Sequence, residues 1–261
     1  MELYWVLARS AFRKNTAYLA AHLATNVGSL LFGLVYIALW RAATRGHAVG
    51  SYSAATLAGY IALGQTVLWL TTFLPRDLGL SALIRSGQIA VELIRPAGFL
   101  PRTAASASGE VLYNLVFRSL PMALVFTLLG VFPLQRVAGA GRLPAFFVAL
   151  LLGVLTGILI QYLIGLSAFW TTETRWARRL YFALTMFCGG QLLPLALMPA
   201  ILRHILVWLP FQSMLYFPVS VWLGLARGLQ WWSAAIWTAL LWSLAAWMTR
   251  RAMRRLAVQG G

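Results

Sequence analysis

Carboxylates are scarce in this 261-residue chain: Glu2, Asp77, Glu92, Glu110 and Glu173 are its only acidic side chains. Dispersed over that length, they offer no constellation able to assemble general acid–base chemistry. His22, His47 and His204 are equally far apart and form no ligand pair at helical spacing, so no metal site and no catalytic residue is expected. The one lysine, Lys14, has no glycine-rich loop before it, and such a loop is what cradles nucleotide phosphates. The chain therefore has no P-loop with which to hydrolyse ATP. A single cysteine, Cys188, excludes an intramolecular disulfide framework; set in an apolar run, it is expected to be a small packing residue.

Negative charge is scarce but positive charge is not, and the formal net charge is +16. A basic chain can release counterions from nucleic-acid phosphates. Here the arginines are spread over short connections between apolar runs, so no nucleic-acid partner is expected.

Hydrophobic residues make up 61% of the chain and charged residues 10%, which is too little polar surface for a soluble domain of this length. A bilayer core takes about 20 apolar residues of helix to cross. Runs of that kind fall at 17–40, 53–75, 110–132, 144–170, 180–201 and 231–249. An all-α, polytopic membrane protein with six transmembrane helices is expected, as one permease domain over 1–261. The first run is too long for a signal-peptide core and lacks a clear cleavage site, so it is expected to remain as a span.

Arginine and lysine collect on the cytoplasmic side of membrane proteins. With the N-terminus inside, 14 of them lie in the cytoplasm and six outside, with Arg118 left within a span. Both termini are accordingly expected to be cytoplasmic. Residues 1–16 suit a short interfacial helix with Arg9, Arg13 and Lys14 toward lipid headgroups, or else a plain extension of the first span. The segment 201–229 is apolar, but it carries Arg203, His204, Pro210 and Pro218. These features predict a broken, re-entrant outer segment before the last span.

The one long cytoplasmic connection, 76–109, is interrupted at Ser86-Gly87 and at Arg95-Pro96. A short folded element presented to another protein is expected there. Gly153 and Gly157, with Gly165 beyond, give the fourth span a small-residue face suited to close helix packing. Gly189, Gly190, Pro194 and Pro199 predict a kinked fifth span. Arg118, with Asn114 one turn earlier, is either a polar point in a translocation path or subunit interface, or a side chain that snorkels toward Glu110. An arginine at the bilayer centre costs about 2.5 to 3.5 kcal/mol on insertion scales, so in either case it must avoid lipid.

The text Ile84-Arg85-Ser86-Gly87-Gln88-Ile89, followed by Glu92-Leu93-Ile94-Arg95-Pro96, resembles the cytoplasmic loop of type 2 ABC exporter permeases. Leu209 to Gly224 is similar to that family's outer segment, and the span order matches over nearly the whole length. The resemblance implies a bacterial inner-membrane subunit that forms half of a translocation path with a second six-span permease, identical or homologous. It also implies a separate ABC ATPase dimer that carries ATP and Mg, with no cofactor on this chain. In that setting Arg85, Gly87, Glu92, Arg95 and Pro96 become coupling residues, and Glu2, Arg9 and Arg13 secondary ATPase contacts. The competing expectations are a membrane scaffold that transports nothing and an ion-coupled secondary transporter. The second of these ordinarily needs buried midplane acids, and no span has a central carboxylate.

Overall fold

The computed structural model describes residues 2–259 except 18, 45–46, 51, 94, 96–97, 136–140 and 172–173; the side chains of 19–21, 93 and 255–259 also lie outside the description. The described residues are helical, with only an isolated bridge between Val49 and Tyr52. Helix α1 (Glu2–Thr16) precedes α2 (Leu19–Thr44) and α3 (Ala54–Thr71). Two short helices follow, α4 (Leu80–Arg85) and α5 (Ile89–Leu93). Next, α6 (Phe99–Asn114) runs through a π-helical turn, Leu115–Ser119, into α7 (Leu120–Leu128). The second half contains α8 (Arg142–Leu166), α9 (Arg175–Cys188), α10 (Ala200–Val207), α11 (Tyr216–Leu223) and α12 (Gly228–Gln259).

Among the described residues, four helical stretches are long and apolar enough to cross a membrane: His22–Thr44, Ala54–Arg85, Phe99–Leu128 and Arg142–Phe169. Six had been expected from the sequence. Of the other two, α12 has ample length, but Trp231, Trp232, Trp237, Trp242 and Trp247 reduce its hydropathy. The expected fifth span, 180–201, is not one helix. Its first part, α9, ends at Gly189-Gly190, where Gly190 takes φ +84°, and Pro194 and Pro199 prevent helix from resuming before Ala200. The connection expected over 76–109 also differs, since its last third is already helical as the start of α6.

Helix α3 is the axis of the molecule, with every residue from Thr56 to Thr71 buried. A helix apolar on all sides belongs in an interior. Helix α2 is the opposite case: Leu23, Val27, Leu31, Val35 and Leu39 are all more than half exposed or close to it, a face suited to lipid.

Helix α8 packs through its glycines. A Cβ at Gly153 would lie 2.5 Å from the Ser213 carbonyl oxygen, one at Gly157 2.1 Å from that of Thr71, and one at Gly165 2.5 Å from that of Asp77. Three separate backbone segments thus rest on one helix face that only glycine keeps open.

The segment between α9 and α12 folds as a hairpin. Helices α10 and α11, eight residues each, flank a 3-10 turn at Pro210–Met214, and α11 is buried along its whole length. The Trp208 carbonyl accepts from the indole N–H of Trp237, nine residues into α12 and so roughly 14 Å along its axis. The hairpin tip therefore reaches the interior of the bundle instead of lying across its end.

Helix α1 docks on α6 with Phe12 against Tyr113, ring centroids 5.8 Å apart, and with the Ala8 carbonyl against Gly109. A Cβ at 109 would lie 2.0 Å from that oxygen. We expect Gly109→Leu to lift α1 off the bundle and leave the helices beyond it folded. Limited trypsin digestion in detergent should then cut at Arg9 and Arg13 at least tenfold faster than in the parent; an unchanged rate would show that this close approach does not hold α1.

Candidate coupling element and polar joints

Helices α4 and α5 form a short helical hairpin at the end of the bundle that carries α1. Ser86 closes α4 with its N–H donated to the Ala82 carbonyl (3.0 Å), and Gly87 reverses the chain at φ +74°, a conformation that favours glycine. Arg85, Ser86, Gly87 and Gln88 are exposed at the tip. Ile89, 1% exposed, and Leu80, 2% exposed, fix the base in a core with Tyr162 and Leu166 of α8 and Leu241 and Ala245 of α12. The tip is free while the base is held by the bundle.

Ionic contacts hold the second arm. Glu92 is paired with Arg102 at the start of α6, and Arg102 Nη1 also donates to the Glu92 carbonyl at 2.9 Å. Arg95 reaches the same carboxylate at 3.0 Å. Of the residues expected to couple, Arg85 and Gly87 lie at the exposed tip, Glu92 is turned inward onto Arg102, Arg95 is half-exposed, and Pro96 lies outside the described residues. Arg102 is 7% exposed and was counted in the sequence only as a topological cation. A pairing ten residues apart, across a helix break, has no local sequence signal.

A cavity of about 230 Å³ lies behind the hairpin, with Glu92, Arg95 and Arg102 on one side and Leu7 of α1 on the other. Helix α1 thus adjoins the α4–α5 hairpin. Glu2, Arg9 and Arg13 are exposed, and Arg9 and Arg13 line a separate groove with Trp5 and Phe12.

At the junction between α3 and α4, Asp77 (φ 45°, ψ 25°) and Leu78 (φ 51°, ψ 24°) both take left-handed backbone. Non-glycine residues there carry strain of order 1–3 kcal/mol each, so neighbouring contacts must hold them. Gln161 Oε1 of α8 accepts the Asp77 N–H at 3.0 Å. The Asp77 carboxylate accepts from Ser81 Oγ at 2.7 Å and from Arg178 Nη1 of α9 at 2.9 Å. Asp77 is 3% exposed; its carboxylate links α4 to α9, and its backbone N–H ties the same residue to α8. The sequence treated Asp77 and Arg178 only as loop charges; the available signal was an acid placed directly after an apolar run.

Asn114 and Arg118 form a second joint, on α3. Asn114 Nδ2 donates to the Trp69 carbonyl at 2.9 Å, while the Arg118 guanidinium sits 4.0 Å above the Trp69 ring. Arg118 therefore stacks on α3 and does not run back to Glu110. Desolvated cation–π contacts reach about 2 kcal/mol. The π-turn that carries Arg118 is held from both sides: Asn26 of α2 donates to the Phe117 carbonyl at 2.7 Å, and Ser119 Oγ donates to Thr66 at 2.8 Å. Single π-turns inside helices often mark functional positions. Among the described residues no group of three or more His, Cys, Asp or Glu side chains could hold a metal.

A family model described as "ABC-2 family transporter protein" matches residues 27–260. No curated protein and no solved structure matches the chain.

Proposed function

Because the chain belongs to the ABC-2 family of transporter proteins, a multi-pass membrane family with a transport role, we propose that it is the membrane subunit of an ATP-driven exporter of the bacterial inner membrane. A separate ABC ATPase dimer supplies ATP and Mg chemistry, and a second permease, identical or homologous, completes the path. The observation that carries this reading is the α4–α5 hairpin, with an exposed Arg85–Gln88 tip on a base locked into α8 and α12. A motor that moves the tip moves those helices. Coupling through such a lever needs two discrete arrangements of packed elements, not a covalent step on this chain.

Six crossings follow if α9 and the chain up to Pro199 complete the fifth and α12 forms the sixth. Both termini then lie on the hairpin's side, in the cytoplasm. Glu92 acts by setting the angle of the hairpin through Arg102, whereas Arg85 and Gly87 meet the ATPase.

Topology and coupling are tested together by introducing one thiol at the tip, Gln88→Cys with Cys188→Ser, or one at the far end, Leu229→Cys with Cys188→Ser. A membrane-impermeant maleimide should label position 88 only in inverted vesicles and position 229 only in intact cells. A photoactivatable reagent on position 88 should capture a protein that is also labelled by azido-ATP and competed by ATP. Labelling of position 88 from outside, or a captured protein that binds no ATP, would overturn the proposal.

A further inference from the structure

The end of the bundle remote from α1 holds a cavity of about 200 Å³ between Tyr52, α10, α11 and the start of α12. Its polar lining is Arg203, His204, Arg227, Gln230, Tyr52 and Tyr216. No Asp or Glu lines it, and every acid whose side chain is described, Glu2, Asp77, Glu92 and Glu110, belongs to elements at the other end. Among the described residues, the two arginines here therefore have no carboxylate within the site to neutralise them.

The other polar groups point to the same kind of ligand. The Tyr52 side chain is 1% exposed, and its hydroxyl, beside the Tyr216 phenol, makes no hydrogen bond of standard geometry among the described residues. A buried donor left unmade costs about 1–3 kcal/mol, a penalty that a bound acceptor removes. Burial, reinforced by the neighbouring Tyr216 phenol, pushes the Tyr52 pKa up, so the group stays protonated and able to donate. Gln230, 3% exposed, uses Oε1 to accept the Arg227 backbone N–H at 2.7 Å, which leaves its amide nitrogen as the free end. His204 spends its Nδ1 proton on the Ala200 carbonyl at 2.6 Å, so in the neutral ring Nε2 is an acceptor and His204 is not one of the donors. The groups left to donate are the Arg203 and Arg227 guanidinia, the Tyr52 hydroxyl and the Gln230 amide, and a ligand that only accepts, an oxyanion, is the complement of these four. Val207, Leu225 and Leu229 make the rest of the wall apolar, which suits a chain attached to that anion.

We propose that this cavity binds the phosphate group of an anionic amphiphile at the membrane surface remote from the coupling hairpin. Arg203 and Arg227 hold the charge, Tyr52 and Gln230 donate to its oxygens, and the apolar wall takes the first methylenes. The amphiphile is a lipid of that leaflet or a phosphate-bearing solute, and the two share this chemistry.

The full-length chain in a neutral detergent is titrated with dihexanoyl phosphatidic acid, with dihexanoyl phosphatidylcholine and with inorganic phosphate; the thermal midpoint and native mass spectra are followed. Phosphatidic acid is expected to raise the midpoint saturably. Arg203→Gln and Arg227→Gln should each weaken binding roughly tenfold, about the loss of one charge-assisted hydrogen bond, and Tyr52→Phe about threefold. All three should keep the unliganded fold, and Arg254→Gln at the other end should bind as the parent does. Binding of phosphatidic acid alone identifies a lipid headgroup; equal binding of inorganic phosphate identifies recognition of the free anion; either supports the site. Phosphatidylcholine binding as tightly as phosphatidic acid, no saturable binding of either phosphate probe, or binding unchanged in the Arg203→Gln/Arg227→Gln double variant overturns it. Binding here needs no ATPase, so failure of this test leaves the exporter proposal standing.

Discussion

Replacing Gly157 with leucine is expected to abolish the folded state. The Cβ alone would lie 2.1 Å from the Thr71 carbonyl oxygen and 3.3 Å from the Met214 methyl. Thr71 ends the buried central helix, and Met214 ends the 3-10 turn at the tip of the hairpin, so neither α3 nor that tip can retreat without opening the core. Overpacking a well-filled interior typically costs about 1–3 kcal/mol when neighbours can shift. A backbone contact of this kind exceeds that, and we expect a loss of about 4 kcal/mol or more, comparable to the total stability of a marginal domain. The variant should elute as aggregate in detergent size-exclusion chromatography, whereas Gly28→Leu, at a glycine whose added Cβ meets nothing within 4 Å, should behave as the parent. Gly157→Ala tests the same contact at smaller volume and should lower the thermal midpoint without full loss. A normal Gly157→Leu protein would mean that α3 and α8 are not in backbone contact.

The same glycines show how much the sequence can reveal. Gly153, Gly157 and Gly165 were legible as a packing face because small residues at helical spacing have few other uses in a membrane helix, and three carbonyls do rest on them. The break at Ser86-Gly87 was equally legible, since a left-handed residue leaves a local mark in the choice of glycine. The order of burial was not. Runs at 17–40 and 53–75 are similarly apolar, yet α2 is largely exposed and α3 enclosed, because lipid and protein interior select the same side chains. Polar joints escaped for another reason: Asp77 and Arg178 meet across 101 residues, and nothing local to either encodes the other. Arg118 was recognised as an anomaly, but its partner is the face of an aromatic ring, which leaves no charge signal in the sequence.

If the chain is the ATP-driven permease proposed above, Asp77→Asn is expected to separate ATP hydrolysis from transport. Asparagine is nearly isosteric and tolerates left-handed backbone, so φ at 77 and the N–H bond to Gln161 survive. What is lost is the charge that receives Arg178 and Ser81. Removing one partner of a fully buried pair costs about 3–5 kcal/mol; with the Arg178 side chain 25% exposed, about 1–2 kcal/mol is the better expectation, enough to lower the thermal midpoint but not to unfold the chain. The functional loss should be larger than the structural one. The hairpin is joined to α9 through this carboxylate, and α9 leads through Gly189 to the Tyr216 N–H at the start of α11. Cutting the link would leave a tip that the proposed ATPase can still move while the far half of the bundle no longer follows. In reconstituted complexes, ATPase activity should stay within about twofold of the parent while transport per ATP falls at least tenfold. Arg178→Lys keeps the charge but loses the fork geometry and should recover part of the coupling. Gln161→Ala, which releases the Asp77 backbone and leaves the ion pair, should lower stability more than coupling. A parallel fall of hydrolysis and transport in Asp77→Asn would place Asp77 in the scaffold alone, and unchanged transport per ATP would exclude the Asp77–Arg178 pair from the path of force.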